Sequence, residues 1–209
     1  LPIEGFFSSL QIPAKVVITM HQKPDGDAMG ATLALYHFMK GLGHETTVIS
    51  PTNWANFLDW MPGIGQVMDF DKQKEKALQL INQATVIFCL DFNVLHRTRN
   101  MEQPLTDAVC TKILIDHHQE PQEEAFTYGI SDTSKSSTCE MVYDFIVNAG
   151  YADSLTPEIA ECLYTGVMTD TGSFRFPATT ASVHRMVATL KEKGLLHTYC
   201  VFGNVLWVR

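Results

Sequence analysis

Long apolar runs are missing from this chain. No stretch reaches the roughly 18 consecutive apolar residues that a membrane-spanning helix needs, so no membrane partner is expected. Residues 1–10 have no basic segment leading into an apolar one, and no signal peptide is expected. Cysteine is sparse and unpatterned. The five, Cys89, Cys110, Cys139, Cys162 and Cys200, are odd in number and form no Cys-x-x-Cys pair. That argues against a disulfide framework and predicts reduced thiols in a cytoplasmic protein. Positive charge is also short: 15 Lys and Arg against 23 Asp and Glu give a net charge of −8. A surface that coats long duplex nucleic acid is therefore excluded as a global property. Neither GxxxxGK[ST] nor GxGxxG occurs, so a phosphate loop or dinucleotide fingerprint is absent. No Gly-x-Ser-x-Gly elbow supports a serine hydrolase.

What the chain does hold is a core and a set of polar clusters. With 209 residues and 45% apolar content, one large domain has ample material to bury. Short apolar runs at residues 14–20, 45–50, 84–90 and 112–115 predict buried strands, with further strands at 66–70 and 126–131. Helical spacing recurs at residues 27–42, 71–82, 137–149, 156–168 and 180–193, several opening on Ser, Thr or Pro. Strands alternating with helices predict an α/β fold, a mostly parallel sheet flanked by helices. Such sheets bind ligands at the carboxyl ends of their strands.

Four clusters carry the chemistry: His21 with Asp25 and Asp27, then Asp91, then Asp116-His117-His118, then Asp170. The first three directly follow expected strands, so one sheet edge would gather them. About seven oxygen and nitrogen donors in one cleft suit two hard divalent cations. Each cluster also has a plain structural reading. Asp27 could cap a helix and Asp25 a Pro-Asp-Gly-Asp turn. Asp91 could cap a turn, His117 and His118 could be solvated, and Asp170 could end a helix. Arg175 is a phosphate contact or a snorkelling surface side chain. His37, His44, His184 and His197 lack partner spacing and read as structural or exposed. Trp54, Phe57, Leu58 and Trp60 read as cover for the sheet edge or a cleft wall.

Together the clusters resemble the DHH phosphoesterase superfamily, from about Ala14 to about Leu195. HQKPDGDAMGATLAL, Leu90-Asp91, IDHH and TGVMTDTGSFRF are similar to its four motifs, in order. The PDGDA form and the FRF tail are most similar to the branch of nanoRNases and 3′-phosphoadenosine 5′-phosphate phosphatases, less so to the RecJ-type exonucleases. The resemblance implies a hydrolase with two cations, usually Mn²⁺, and a metal-bridging water as nucleophile. It implies that His21, Asp25 and Asp91 hold one cation, and Asp27, Asp91, His117 and Asp170 the other. It implies that His118 faces the scissile phosphate, with Ser136 or Ser137 and Arg175 near phosphate oxygens. Carboxylate and imidazole donors equally admit Mg²⁺, Fe²⁺ or Zn²⁺. The expected substrate is a short oligonucleotide or a small phosphorylated nucleotide. A pyrophosphatase, a cyclic-dinucleotide phosphodiesterase or a weakly catalytic nucleotide-binding domain are the alternatives. Residues 1–195 are expected to form the DHH domain, and residues 196–209 a linker or tail. The branch's second, C-terminal domain, with its glycine- and histidine-rich loop, is not expected within these residues. An apolar face left by it would favour self-association, so a homodimer is an expectation.

Overall fold

The computed structural model describes residues 2–196. A six-stranded sheet runs through the centre, with every neighbouring pair parallel and the order β3-β2-β1-β4-β5-β6. The strands are β1 (Lys15–Met20), β2 (Glu45–Ser50), β3 (Val67–Asp69), β4 (Val86–Leu90), β5 (Thr111–Asp116) and β6 (Tyr128–Ser131). The helices are α1 (Gly26–Gly41), α2 (Lys74–Gln83), α3 (Glu102–Asp107), α4 (Thr138–Asn148), α5 (Pro157–Asp170) and α6 (Ala181–Glu192). No helix of the described residues is long and apolar enough to cross a membrane.

The strands read as unbroken apolar runs because both faces of the sheet are covered. Val16, Ile18, Met20, Phe88, Leu90, Ile113 and Ile115 face a core shared with α1, α4 and α5. Val17, Ile49, Ile87, Cys89 and Leu114 face the opposite core, with Ala77 and Ile81 of α2 and Leu105 of α3. The result is three layers.

Register decides where the polar clusters meet. Met20 pairs with Leu90, and Leu90 with Ile115. The next residues along, His21, Asp91 and Asp116, therefore stand at one level, at the carboxyl ends of their strands. The order 3-2-1-4-5-6 reverses direction between β1 and β4, where open parallel sheets form their ligand crevice.

Two helices bring in the remaining donors. Asp25, not Asp27, is the N-cap of α1: its carboxylate accepts from the Asp27 and Ala28 amides at 3.0 Å. Asp27 sits fully buried in the first turn. Helix α5 opens on the Thr156 cap and Pro157 and lies across α1 at close range. Glycines permit that approach. A Cβ on Gly30 would stand 2.6 Å from the Cys162 carbonyl oxygen, and one on Gly166 would collide with Cys139 Sγ and stand 2.9 Å from Asp27 Oδ1.

Several elements differ from the sequence expectation. The strand expected over residues 126–131 is present as β6, two residues shorter at its start, on the sheet edge parallel to β5. The helix expected from residue 71 begins at Lys74, because the Asp69 carboxylate and carbonyl hold a turn over residues 71–73. Helix α3 was not expected, nor was the 3-10 segment Ile3–Gln11, which packs Ile3, Phe6 and Leu10 into the core. His197 and residues 197–209 lie outside the described residues.

Candidate metal centre

His21 ends β1, and its Nδ1 lies 2.7 Å from the Gln22 carbonyl oxygen. A carbonyl only accepts, so Nδ1 carries a proton and Nε2 is the nitrogen turned toward the cluster, the orientation second-shell partners give to metal-binding histidines. Nε2 lies 3.4 Å from Asp91 Oδ2 and 3.9 Å from Asp25 Oδ2. His117 Nε2 faces three carboxylates: Asp170 Oδ2 at 3.4 Å, Asp91 Oδ1 at 3.5 Å and Asp27 Oδ2 at 3.8 Å. Asp91 thus turns one oxygen to His21 and the other to His117. It does so from a left-handed backbone, φ 63°, which an Asp tolerates better than most residues and which aims its carboxylate off the strand end.

The adjacent histidines diverge, their ring planes 66° apart. His118 Nδ1 donates to Asp116 Oδ1 at 2.6 Å, and its backbone N–H donates to Asp116 Oδ2 at 3.1 Å. Asp116, fully buried, thus fixes the ring of a half-exposed histidine.

Donor atoms within 4.8 Å of one another form three groups: His21-Asp25-Asp91, Asp27-His117-Asp170 and Asp91-His117-His118. All are carboxylate oxygens and imidazole nitrogens, the donors that hard and borderline divalent cations take. The electrostatics point the same way. Burial pushes Asp27 well above the usual carboxylate range, and the charges of Asp91 and Asp170 push further. Asp170 is raised to about 7 by burial and by Asp91 and Asp25. For Asp91, burial acts upward, but hydrogen bonds and attraction from His117 and His21 outweigh it and hold the carboxyl well below its usual range. Burial acts downward on His117, yet Asp91, Asp27 and Asp170 raise it to about 9. His21 is raised for the same reason, chiefly by Asp91 against its burial. Without cations, this cleft keeps protons to offset its negative charge. Divalent cations are the natural replacement, so the residues present fit them.

The remaining expected contacts sit differently. Ser136 Oγ donates to Glu140 Oε2 at 2.9 Å, and Ser137 Oγ caps α4 by accepting from the Glu140 amide at 3.1 Å. Both hydroxyls are buried and committed to Glu140, and neither joins the cluster. Arg175 is exposed, and its Nε donates to the Gly172 carbonyl oxygen at 2.7 Å. It follows a turn in which Gly172, Ser173 and Phe174 all have positive φ. Of the histidines read as structural, His44 is buried and bridges the Ala14 amide to the Leu10 carbonyl, and His37 Nε2 lies 3.0 Å from the Pro62 carbonyl.

Sequence reasoning placed the start of α4 but missed its contact with the cluster. Thr138 N–H donates to Asp27 Oδ2 at 2.6 Å, Cys139 N–H donates to Asp27 Oδ1 at 2.9 Å, and Thr138 Oγ1 donates to Asp91 Oδ1 at 2.9 Å. The Ser-Ser-Thr run signals a helix start, but nothing local ties it to an Asp 111 residues earlier.

Residues 15–167 match the DHH family, N-terminal domain. The chain belongs to the DHH family. It is 31% identical over 184 residues to the bifunctional oligoribonuclease and PAP phosphatase NrnA of Thermus thermophilus, covering 88% of this chain and 52% of that protein. It is 28% identical over 186 residues to the protein of the same name from Bacillus subtilis, covering 88% and 53%. This DHH chain thus spans about half the length of the curated relatives it matches. Among solved structures, an exopolyphosphatase-related protein from Bacteroides fragilis superposes with a TM-score of 0.92 at 37% identity, over 95% of this chain and 58% of that one. An exonuclease RecJ bound to manganese shares the fold alone, with a TM-score of 0.52 at 12% identity over 90% of this chain and 47% of that one.

Proposed function

We propose that this DHH chain carries the metal centre of a phosphoesterase. It hydrolyses short oligonucleotides or 3′-phosphoadenosine 5′-phosphate with two divalent cations, manganese by preference. The observation that carries the reading is Asp91, whose two oxygens stand 3.4 and 3.5 Å from His21 and His117 and so divide the donors between two positions. His21, Asp25 and Asp91 would hold one cation, and Asp27, Asp91, His117 and Asp170 the other. When bound, such a pair activates a water and neutralises charge on the attacking and leaving oxygens. The chain's own residues do the rest. His21 is aimed by the Gln22 carbonyl. His118, held through Nδ1 by Asp116, turns Nε2 to a phosphate oxygen. Arg175 uses the guanidinium donors left over from its Gly172 bond to hold a second phosphate oxygen. Residues 1–195 act as one DHH unit in this reading. The names of the relatives support the substrate class, and the carboxylate and imidazole donors support divalent cations of the manganese kind.

Incubation with 5′-phosphorylated diadenylate and Mn²⁺ is expected to release mononucleotide, and chelator to stop it. A folded chain that binds Mn²⁺ yet leaves both this substrate and 3′-phosphoadenosine 5′-phosphate intact overturns the proposal.

A further inference from the structure

The start of α4 makes three hydrogen bonds to two carboxylates of the metal centre, through groups that are not themselves cation donors in the clusters. Thr138 is fully buried, and its hydroxyl donates to Asp91 Oδ1, the oxygen turned toward His117. Its backbone N–H, with that of Cys139, takes both oxygens of Asp27. These two carboxylates come from different elements, the end of β4 and the first turn of α1. Among the described residues, α4 is the one element that donates hydrogen bonds to both.

That contact is itself anchored. Ser137 caps the helix through the Glu140 amide. The Glu140 carboxylate accepts from the Ser136 amide and hydroxyl, from the Ser182 hydroxyl on α6 and from Lys135. Lys135 reaches on to Asp144 one turn later. The first turn of α4 is thus fixed from several sides before it meets the cluster. The amides exposed at a helix start, together with the helix dipole, favour a carboxylate there. With both oxygens bonded, Asp27 has little rotational freedom left.

We propose that Thr138 is a positioning residue of the metal centre: its hydroxyl sets the Asp91 oxygen, and its amide sets Asp27, before any cation enters. The inference rests on the two-cation reading above. Outer-shell partners of this kind typically account for about 10–100-fold in metal affinity. The hydroxyl bears on the position shared by Asp91, Asp27, His117 and Asp170, so the loss falls on one cation and on the coupling between the two.

Thr138→Val keeps the shape and removes the donor, and Thr138→Ser restores the donor. Mn²⁺ binding by titration calorimetry, with electron paramagnetic resonance for coupled manganese, separates the cases without any substrate. The expected result is two sites in the wild-type chain and in Thr138→Ser. In Thr138→Val one site weakens about 10–100-fold and the coupled signal falls, while thermal unfolding without metal stays cooperative. A Thr138→Val chain that binds two Mn²⁺ with wild-type affinity and coupling overturns the inference alone. So does a folded Thr138→Ser chain as impaired as Thr138→Val. A wild-type chain that binds no Mn²⁺ overturns the two-cation reading as well.

Discussion

Asp91 carries the largest consequence per atom. It is nearly buried, held in a left-handed backbone and shared by two histidines. In the proposed two-cation site, replacing it with Ala would remove an oxygen from each cation position, so hydrolysis is expected to fall by at least ~10³-fold and coupled Mn²⁺ binding to vanish, consistent with the several kcal/mol such cations supply. Wild-type turnover by Asp91→Ala would contradict the bridging role. Glu140 makes a different, pH-dependent contribution. Burial acts upward on its carboxyl, but hydrogen bonds from Ser182 and Ser136, with Lys135 nearby, outweigh it, and the net shift is downward. A carboxyl depressed on folding stabilises the protein above its unfolded value, near 4.5, and that contribution fades as pH falls through the folded value. Glu140→Gln is therefore expected to lower Tm at neutral pH, by the equivalent of about 1–3 kcal/mol, with the gap to wild type closing as pH falls below 4.5. Thermal melts across pH check this; a constant gap would contradict it.

At the scale of elements, the close approach of α1 and α5 brings Asp27 and Asp170 together. Gly30 has the Cys162 backbone carbonyl as its nearest neighbour, and backbone cannot swing aside as a side chain can. Gly30→Ala is expected to force the helices apart, costing about 1–3 kcal/mol in denaturant unfolding and weakening Mn²⁺ binding as the donors separate. An alanine variant unchanged in both would mean that the pair has slack. Sequence periodicity carried most of these elements. The runs at residues 45–50 and 84–90 stood out because strands buried on both faces are apolar throughout. The donors that follow strands were legible because a parallel sheet has only one carboxyl edge. Helix α3 was not, since six residues interrupted by Pro104 give no period to read. The cap of α1 was misplaced by two residues: Asp25 and Asp27 are both good caps, and only the buried packing of Asp27 against α4 and α5 separates them. The role of Thr138 was invisible, because its partners are 47 and 111 residues away.

Across the whole molecule, folding gathers four carboxylates into one cleft of a chain that already carries a net charge of −8. Cations that bind only the folded state must therefore stabilise it. At a free Mn²⁺ concentration 100 times the dissociation constant, each site adds about 2.7 kcal/mol, which raises Tm by roughly 5–10 °C for a domain of this size. Chelator should reverse the rise, and a Tm indifferent to Mn²⁺ would contradict it. The most direct measurement is anomalous scattering from a crystal grown with Mn²⁺. The account predicts two peaks ~3.5–4 Å apart on either side of Asp91, one beside His21 and Asp25, the other beside Asp27, His117 and Asp170. A single peak, or none among these residues, would contradict it.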